Sequence, residues 1–304
     1  MIGRSRIFRP EDTAFIFYLT AVSIWVTLFH RGIERWWIYV LSHSLAAVLT
    51  IAWVRYSSAS ERPAVRFLRY WYIPLCLAIF YEQIDKFILG LHGRYLDHII
   101  FNFEKSLLGV HPSVWLERFA SPVMTEVMKI GYHSYYWIGP ILGVCLYLRE
   151  DKIPFRRTLF SIMLAFFISY FGFILFPVIG PRYVLSDLYN GPLNGYFVTA
   201  LQDWIMEHGD IYGGCMPSSH VAVALVVLML AWTYQRRLAW IFTPLVTILS
   251  ISTVYNRYHY VSDVFAGIIV GLVAFFIGKR IYRDSPEGLS VEIGKEKTER
   301  TQEF

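Results

Sequence analysis

Cysteine and charge are both in short supply in this chain. Its three cysteines, Cys76, Cys145 and Cys215, stand far apart with no CxxC spacing, which supports neither a disulfide framework nor a zinc site. Charged residues make up 17% of the 304 positions, where about 25% is usual for a soluble domain. With 56% of residues hydrophobic, a core this apolar would need a larger polar shell than the chain supplies. A water-soluble globule is excluded on these grounds. Charge is also nearly absent from the middle of the long apolar runs, where a transporter with a His/Asp proton relay would carry it. The net charge of +5 does not point to nucleic acid, because the Lys and Arg residues fall between apolar runs, as topology signals do.

What is present suits a bilayer. Eight runs are long and apolar enough to read as spans: 13–30, 36–54, 66–90, 125–148, 157–177, 218–234, 237–255 and 262–282. The first, preceded by Arg4, Arg6 and Arg9, is followed by no small-residue cleavage site and reads as a retained span. Basic residues concentrate in alternate connections, at Arg55, Arg62, Arg66 and Arg69, at Arg149, Lys152, Arg156 and Arg157, and beyond Lys279. By the positive-inside rule those connections and both termini are cytoplasmic. The expected fold is therefore an all-α integral membrane bundle of about eight transmembrane helices. A helix within 92–121, with Leu96, Ile99, Ile100, Phe103 and Leu107 at helical spacing, is expected to lie in the outer interface. Three regions follow: N-terminal spans with that interfacial helix over 1–121, a helix bundle over 122–283 expected to carry the function, and a disordered charged tail over 284–304.

Three polar clusters fall at the outer ends of spans. The first is Phe176-Pro177-Val178-Ile179-Gly180-Pro181-Arg182-Tyr183, followed by a connection of some forty residues with an amphipathic stretch near 197–207. The second, Gly213-Gly214-Cys215-Met216-Pro217-Ser218-Ser219-His220, contains a helix start whose free amides could hold an anion beside His220. Alone, it is equally a capped span with an interfacial histidine. The third is Arg257-Tyr258-His259-Tyr260-Val261-Ser262-Asp263. In a helix begun by His259, that residue and Asp263 share a face, and a carboxylate on one ring nitrogen leaves the other free to attack. Arg257 adds a cation of fork geometry suited to phosphate oxygens. The bland alternative is an interfacial ion pair. Tyr183, Tyr189, Tyr255, Tyr258 and Tyr260 read first as interface anchors.

Together the clusters resemble the signatures of the type 2 phosphatidic acid phosphatase superfamily. The second is similar to its Pro-Ser-x-His run, and the third to its His-x-x-x-Asp-x-x-x-Gly run as His259, Asp263 and Gly267. The resemblance covers roughly residues 157–282. It implies phosphoryl transfer on a lipid phosphate at the outer face of the membrane, with no metal and no other cofactor. It further implies His259 as nucleophile through a phosphohistidine, Asp263 as its orienter and His220 as general acid. Arg182, Ser218, Ser219 and Arg257 would hold phosphate. The reaction implied first is that of a lipid phosphate phosphatase. Three positions depart from the usual signatures: Leu175 stands where a lysine is usual, Pro181 precedes Arg182 instead of following it, and Thr253 stands where the arginine of the third signature is usual. The Gly180-Pro181-Arg182 form and the Arg257-Tyr258-His259-Tyr260-x-x-Asp263 form resemble instead the branch containing inositol phosphorylceramide synthase, which transfers a head group. Lys86 or Lys129 is a candidate for the missing lysine. Oligomeric state is left open.

Overall fold

The computed structural model describes residues 7–209 and 212–283; the tail over 284–304, and Arg4 and Arg6, lie outside them. Apolar runs become helices because a chain in hydrocarbon must satisfy its own amides. In chain order these are α1 (Pro10–Leu28), α2 (Trp36–Ser58), α3 (Pro63–Glu82), α4 (Asp97–Leu108), α5 (Pro112–Leu116) and α6 (Pro122–His133). There follow α7 (Tyr135–Tyr147), α8 (Ile153–Leu175), α9 (Pro181–Val184) and α10 (Phe197–Gly209), then α11 (Ser219–Tyr234), α12 (Arg236–Tyr255) and α13 (Val261–Arg283). Among the described residues no strand forms; Val178 and Gly214 make an isolated backbone bridge.

Helices α1, α2, α8, α12 and α13 are each long and apolar enough to cross a membrane. The other three expected spans take different forms. The run over 66–90 is α3, which carries Arg66 and Arg69 and stops at Glu82, so that Asp85 and Lys86 sit in a 3-10 turn beyond it. The run over 125–148 is broken at Ser134, whose hydroxyl turns back to the Gly131 carbonyl at 2.6 Å. The run over 218–234 is α11, whose 16 residues rise about 24 Å, against about 30 Å for the hydrocarbon core. This short helix is the axis of the bundle. Its Val221, Ala222, Ala224, Val226, Val227 and Leu230 are fully buried against α7, α8, α12 and α13.

A second core joins α1 and α3 to α8, and it encloses charge. Arg69 and Arg156, read above as cytoplasmic topology signals, are buried: Arg69 pairs with Asp12 (Nη1 to Oδ1, 2.7 Å) and Arg156 with Glu11 (Nε to Oε1, 3.0 Å). Tyr72 and Tyr282 donate to the same two carboxylates. The four groups clamp α1 to α3, α8 and α13. Buried charges persist only when paired in this way.

The expected interfacial helix is present as α4, but its faces are reversed relative to a surface helix. Asp97, Ile100 and Glu104 point inward, whereas Ile99, Phe103 and Leu107 are exposed. Its apolar face thus suits lipid, and its two carboxylates are committed to the protein.

Candidate active site

The turn between α12 and α13 carries His259. The chain reverses at once after Tyr255: the amides of Tyr258 and His259 both donate to the Thr253 carbonyl at 3.0 Å, and Arg257 adopts a left-handed conformation (φ 65°). Helix α13 begins only at Val261, so His259 precedes it and does not share a helical face with Asp263 as expected. The two meet by another route. Asp263 reaches back over the helix start, accepts the Tyr260 amide at 2.9 Å, and places Oδ2 3.4 Å from His259 Nδ1. A carboxylate in the first turn returning to the amide just before the helix is one half of a capping box.

The same Nδ1 lies 3.0 Å from the Cys215 carbonyl oxygen. A carbonyl can only accept, so Nδ1 carries the hydrogen and donates it there. In the neutral ring the lone pair is then on Nε2.

His220 is presented by the first turn of α11. Ser218 caps that helix, its hydroxyl accepting the Val221 amide at 3.5 Å, and its own amide donates to the Asp263 carbonyl at 2.9 Å. The contact is close because α13 carries glycine there: a Cβ at Gly267 would stand 2.5 Å from the Ser218 carbonyl, and one at Gly271 2.8 Å from that of Ala222. Small residues four apart let helix backbones touch. Gly267→Val is expected to cost roughly 1–3 kcal/mol by overpacking and to push the two histidines apart. The check is a lower thermal midpoint in detergent together with lost activity; an unchanged midpoint would contradict the contact.

The His220 and His259 rings are 5.7 Å apart, centroid to centroid, at 62°. His220 Nε2 is hydrogen-bonded to the Tyr132 hydroxyl at 2.9 Å, and its buried Nδ1 has no partner among the described residues. Ser219 sits one residue before it, at the head of α11 and likewise buried.

Cations surround this pair unequally. Arg182, on α9, lies 5.9 Å from the centroid of the Tyr258 ring, and its buried Nη1 has no hydrogen-bond partner among the described residues. Arg257 is held differently from expectation: its guanidinium donates to Glu117 Oε1 at 2.9 Å and to the Gly191 carbonyl at 2.8 Å, and it stacks 3.8 Å over Tyr189. That arrangement fastens the connection between α9 and α10 onto the third cluster. Of the two lysines, Lys86 is exposed and paired with Asp85. Lys129 is buried, donating to Asp203 Oδ1 at 2.6 Å and to the Tyr258 hydroxyl at 2.8 Å. Tyr258 in turn stacks edgewise on Tyr132, the partner of His220.

Two carboxylates that spacing did not single out lace the clusters together. Asp97 accepts the amides of Ile179 (3.0 Å) and Gly180 (2.9 Å) and the Tyr260 hydroxyl (3.1 Å), joining the first cluster to the third. Gly180 is left-handed (φ 95°), and a Cβ there would be 2.7 Å from the Tyr258 carbonyl. Glu104 accepts the Ser262 amide at 2.6 Å, capping α13, and burial pushes its carboxyl above the usual range. The Cys215 amide donates to the Val178 carbonyl at 3.1 Å, tying the second cluster to the first.

The family model for the PAP2 superfamily matches residues 98–277, from α4 through most of α13. The chain belongs to the PAP2 superfamily. A PA-phosphatase related-family protein of Dictyostelium discoideum is 24% identical over 215 residues, covering 64% of this chain and 38% of the relative. A phosphoinositol dihydroceramide synthase of Bacteroides thetaiotaomicron is 24% identical over 200 residues, covering 58% of this chain and 65% of that one. The chain thus spans less than two thirds of the length of either relative. No solved structure matches. The superfamily is one of membrane phosphatases and phosphotransferases, and the matched region contains all three clusters.

Proposed function

We propose that this chain transfers the phosphoryl group of a membrane lipid phosphate ester through a covalent phosphohistidine on His259, and that water is the ordinary acceptor. The observation that carries this reading is the Nδ1–H of His259 held on the Cys215 carbonyl, which leaves Nε2 bare within reach of a phosphorus atom beside His220. Attack by Nε2 forms the N–P bond as the P–O ester bond breaks, and the electron pair leaves on oxygen. His220, whose Nε2 is occupied by Tyr132, protonates that oxygen from Nδ1. The same nitrogen then takes a proton from the acceptor as the N–P bond is cleaved. Asp263 stabilises the positive charge on the phosphorylated ring. Arg182, Ser219 and the amides at the start of α11 supply donors for the equatorial oxygens, where charge accumulates in a loose transition state. Arg257, through its pairing with Glu117, contributes field more than contact. The basic-residue bias along the sequence supports a site at the non-cytoplasmic face.

A second reading, transfer to a hydroxyl acceptor, is favoured by the similarity to the phosphoinositol dihydroceramide synthase and by the Gly180-Pro181-Arg182 form of the first cluster. Purified protein given a panel of lipid phosphates separates the two. Free phosphate released without an added acceptor identifies hydrolysis; a product that appears only with a polyol or lipid alcohol identifies transfer. In either case vanadate, which mimics the pentavalent phosphorus, is expected to inhibit strongly, and chelators are expected to leave the rate unchanged. A requirement for an added divalent ion would overturn the mechanism.

A further inference from the structure

A cavity of about 660 Å³ opens beside His220 into the helix bundle. Protein interiors are close-packed, with few voids larger than a water molecule; this volume lies in the range of ligand sites. Its polar end is formed by Ser219, His220 and Tyr132. From there it runs between α3, α7 and α8, past Tyr81 and Tyr170, to Trp71, Phe155 and Thr158. The one hydroxyl at that far end is already spent, since Thr158 donates to the Pro154 carbonyl at 2.8 Å. The lining away from His220 is therefore mostly apolar, interrupted by the phenols of Tyr81, Tyr135, Tyr136 and Tyr170 and by the indole of Trp71.

The cavity's length has a counterpart in the bilayer. From Tyr170 to Thr158 along α8 is twelve residues, or about 18 Å, slightly more than the roughly 15 Å of one leaflet's hydrocarbon. Glycine makes the room. Gly139 and Gly143, one turn apart on α7, both face the cavity. A Cβ at Gly139 would come no closer than 3.9 Å to anything, and one at Gly143 would meet only the Trp71 and Phe155 rings, at 3.6 and 4.0 Å.

We infer that this cavity takes one hydrocarbon chain of the lipid substrate into the protein, head group at His220 and chain end at Trp71 and Phe155, so that the depth beside α7 measures chain length. The inference rests on the phosphoryl-transfer reading above. A lining dominated by aromatic and aliphatic side chains suits a lipid tail, which needs no hydrogen bonds, better than a soluble phosphate ester.

The test compares lipid phosphates of one head group and increasing chain length, each dispersed in the same detergent. Burial of each methylene favours binding about fourfold, so wild type is expected to gain in kcat/KM with chain length until the cavity is filled. Gly143→Leu should lower kcat/KM for the longest chains at least about tenfold, from the loss of two or more methylenes, and leave the shortest within about twofold. Gly139→Leu, about 6 Å nearer the histidines, should move the break to shorter chains. Equal losses for long and short chains, or no change, would overturn the inference. Should the leucine variants fail to fold, a substrate with a photoreactive group at its chain end, applied to wild type, takes their place. Labelling at Trp71 or Phe155 supports the inference, and labelling confined to lipid-facing residues overturns it. Wild type inactive on every ester, short chains included, would instead count against the proposed function, and the photolabelling would still report where a chain sits.

Discussion

His259→Ala is expected to lose about four to six orders of magnitude in turnover, the scale on which nucleophile deletions act, and to trap no phosphoprotein. The reason is local. At His259 the surrounding structure assigns the hydrogen to Nδ1 and so leaves the lone pair of Nε2 free. His220→Ala should be nearly as damaging for a lipid ester, but its loss should be largely recovered with an aryl phosphate, whose leaving oxygen needs no proton. No leaving group should rescue His259→Ala. The measurements are single-turnover kinetics on the two ester types and acid-labile phosphate on the protein. A His259→Ala protein keeping a tenth of wild-type turnover would remove this residue from the reaction.

Asp97→Ala is expected to cost about 3 kcal/mol in stability, because it strands the part-buried amide of Ile179, the buried amide of Gly180 and the buried Tyr260 hydroxyl without an acceptor. Activity should fall as well, measured at a temperature where the variant is still folded, since Asp97 joins the loop bearing Arg182 to the one bearing His259. Asp97→Asn keeps an acceptor oxygen and should recover part of both losses. The check is the thermal midpoint in detergent beside kcat/KM for the three proteins. A wild-type midpoint for Asp97→Ala would show that those amides find another partner.

These two residues differ in how far they could be read from the chain alone. The grouping of His220, His259 and Asp263 was legible because order and spacing must both agree for their signatures to match. Asp97 and Glu104 were not, although both stand seven apart on α4 and so nearly share a face. In an amphipathic pattern they read as the wet side of a surface helix, and only contacts with residues more than eighty positions away turn them inward. Tyr132 was equally hidden, one aromatic among many in an apolar run. Hydropathy averaged over 125–148 could not register the interruption at Ser134, and the same averaging gave α11 the look of an ordinary span although it is enclosed by protein. Arg257 was read from its chemistry, which suits a phosphate as well as it suits Glu117; proximity decided between them. Arg69 and Arg156 were counted as signposts of topology, whereas their partners Asp12 and Glu11 lie in another helix.

The proton on His259 is fixed by the peptide oxygen of Cys215, a group that every amino acid at that position would provide. No single codon change can delete it. An orienter built from a side chain is one substitution away from loss, so an enzyme relying on Asp263 alone would be mutationally fragile at its most sensitive atom. Here the carboxylate, 3.4 Å from the same nitrogen, shares that duty with the peptide oxygen at 3.0 Å. Asp263 should therefore tolerate replacement better than either histidine.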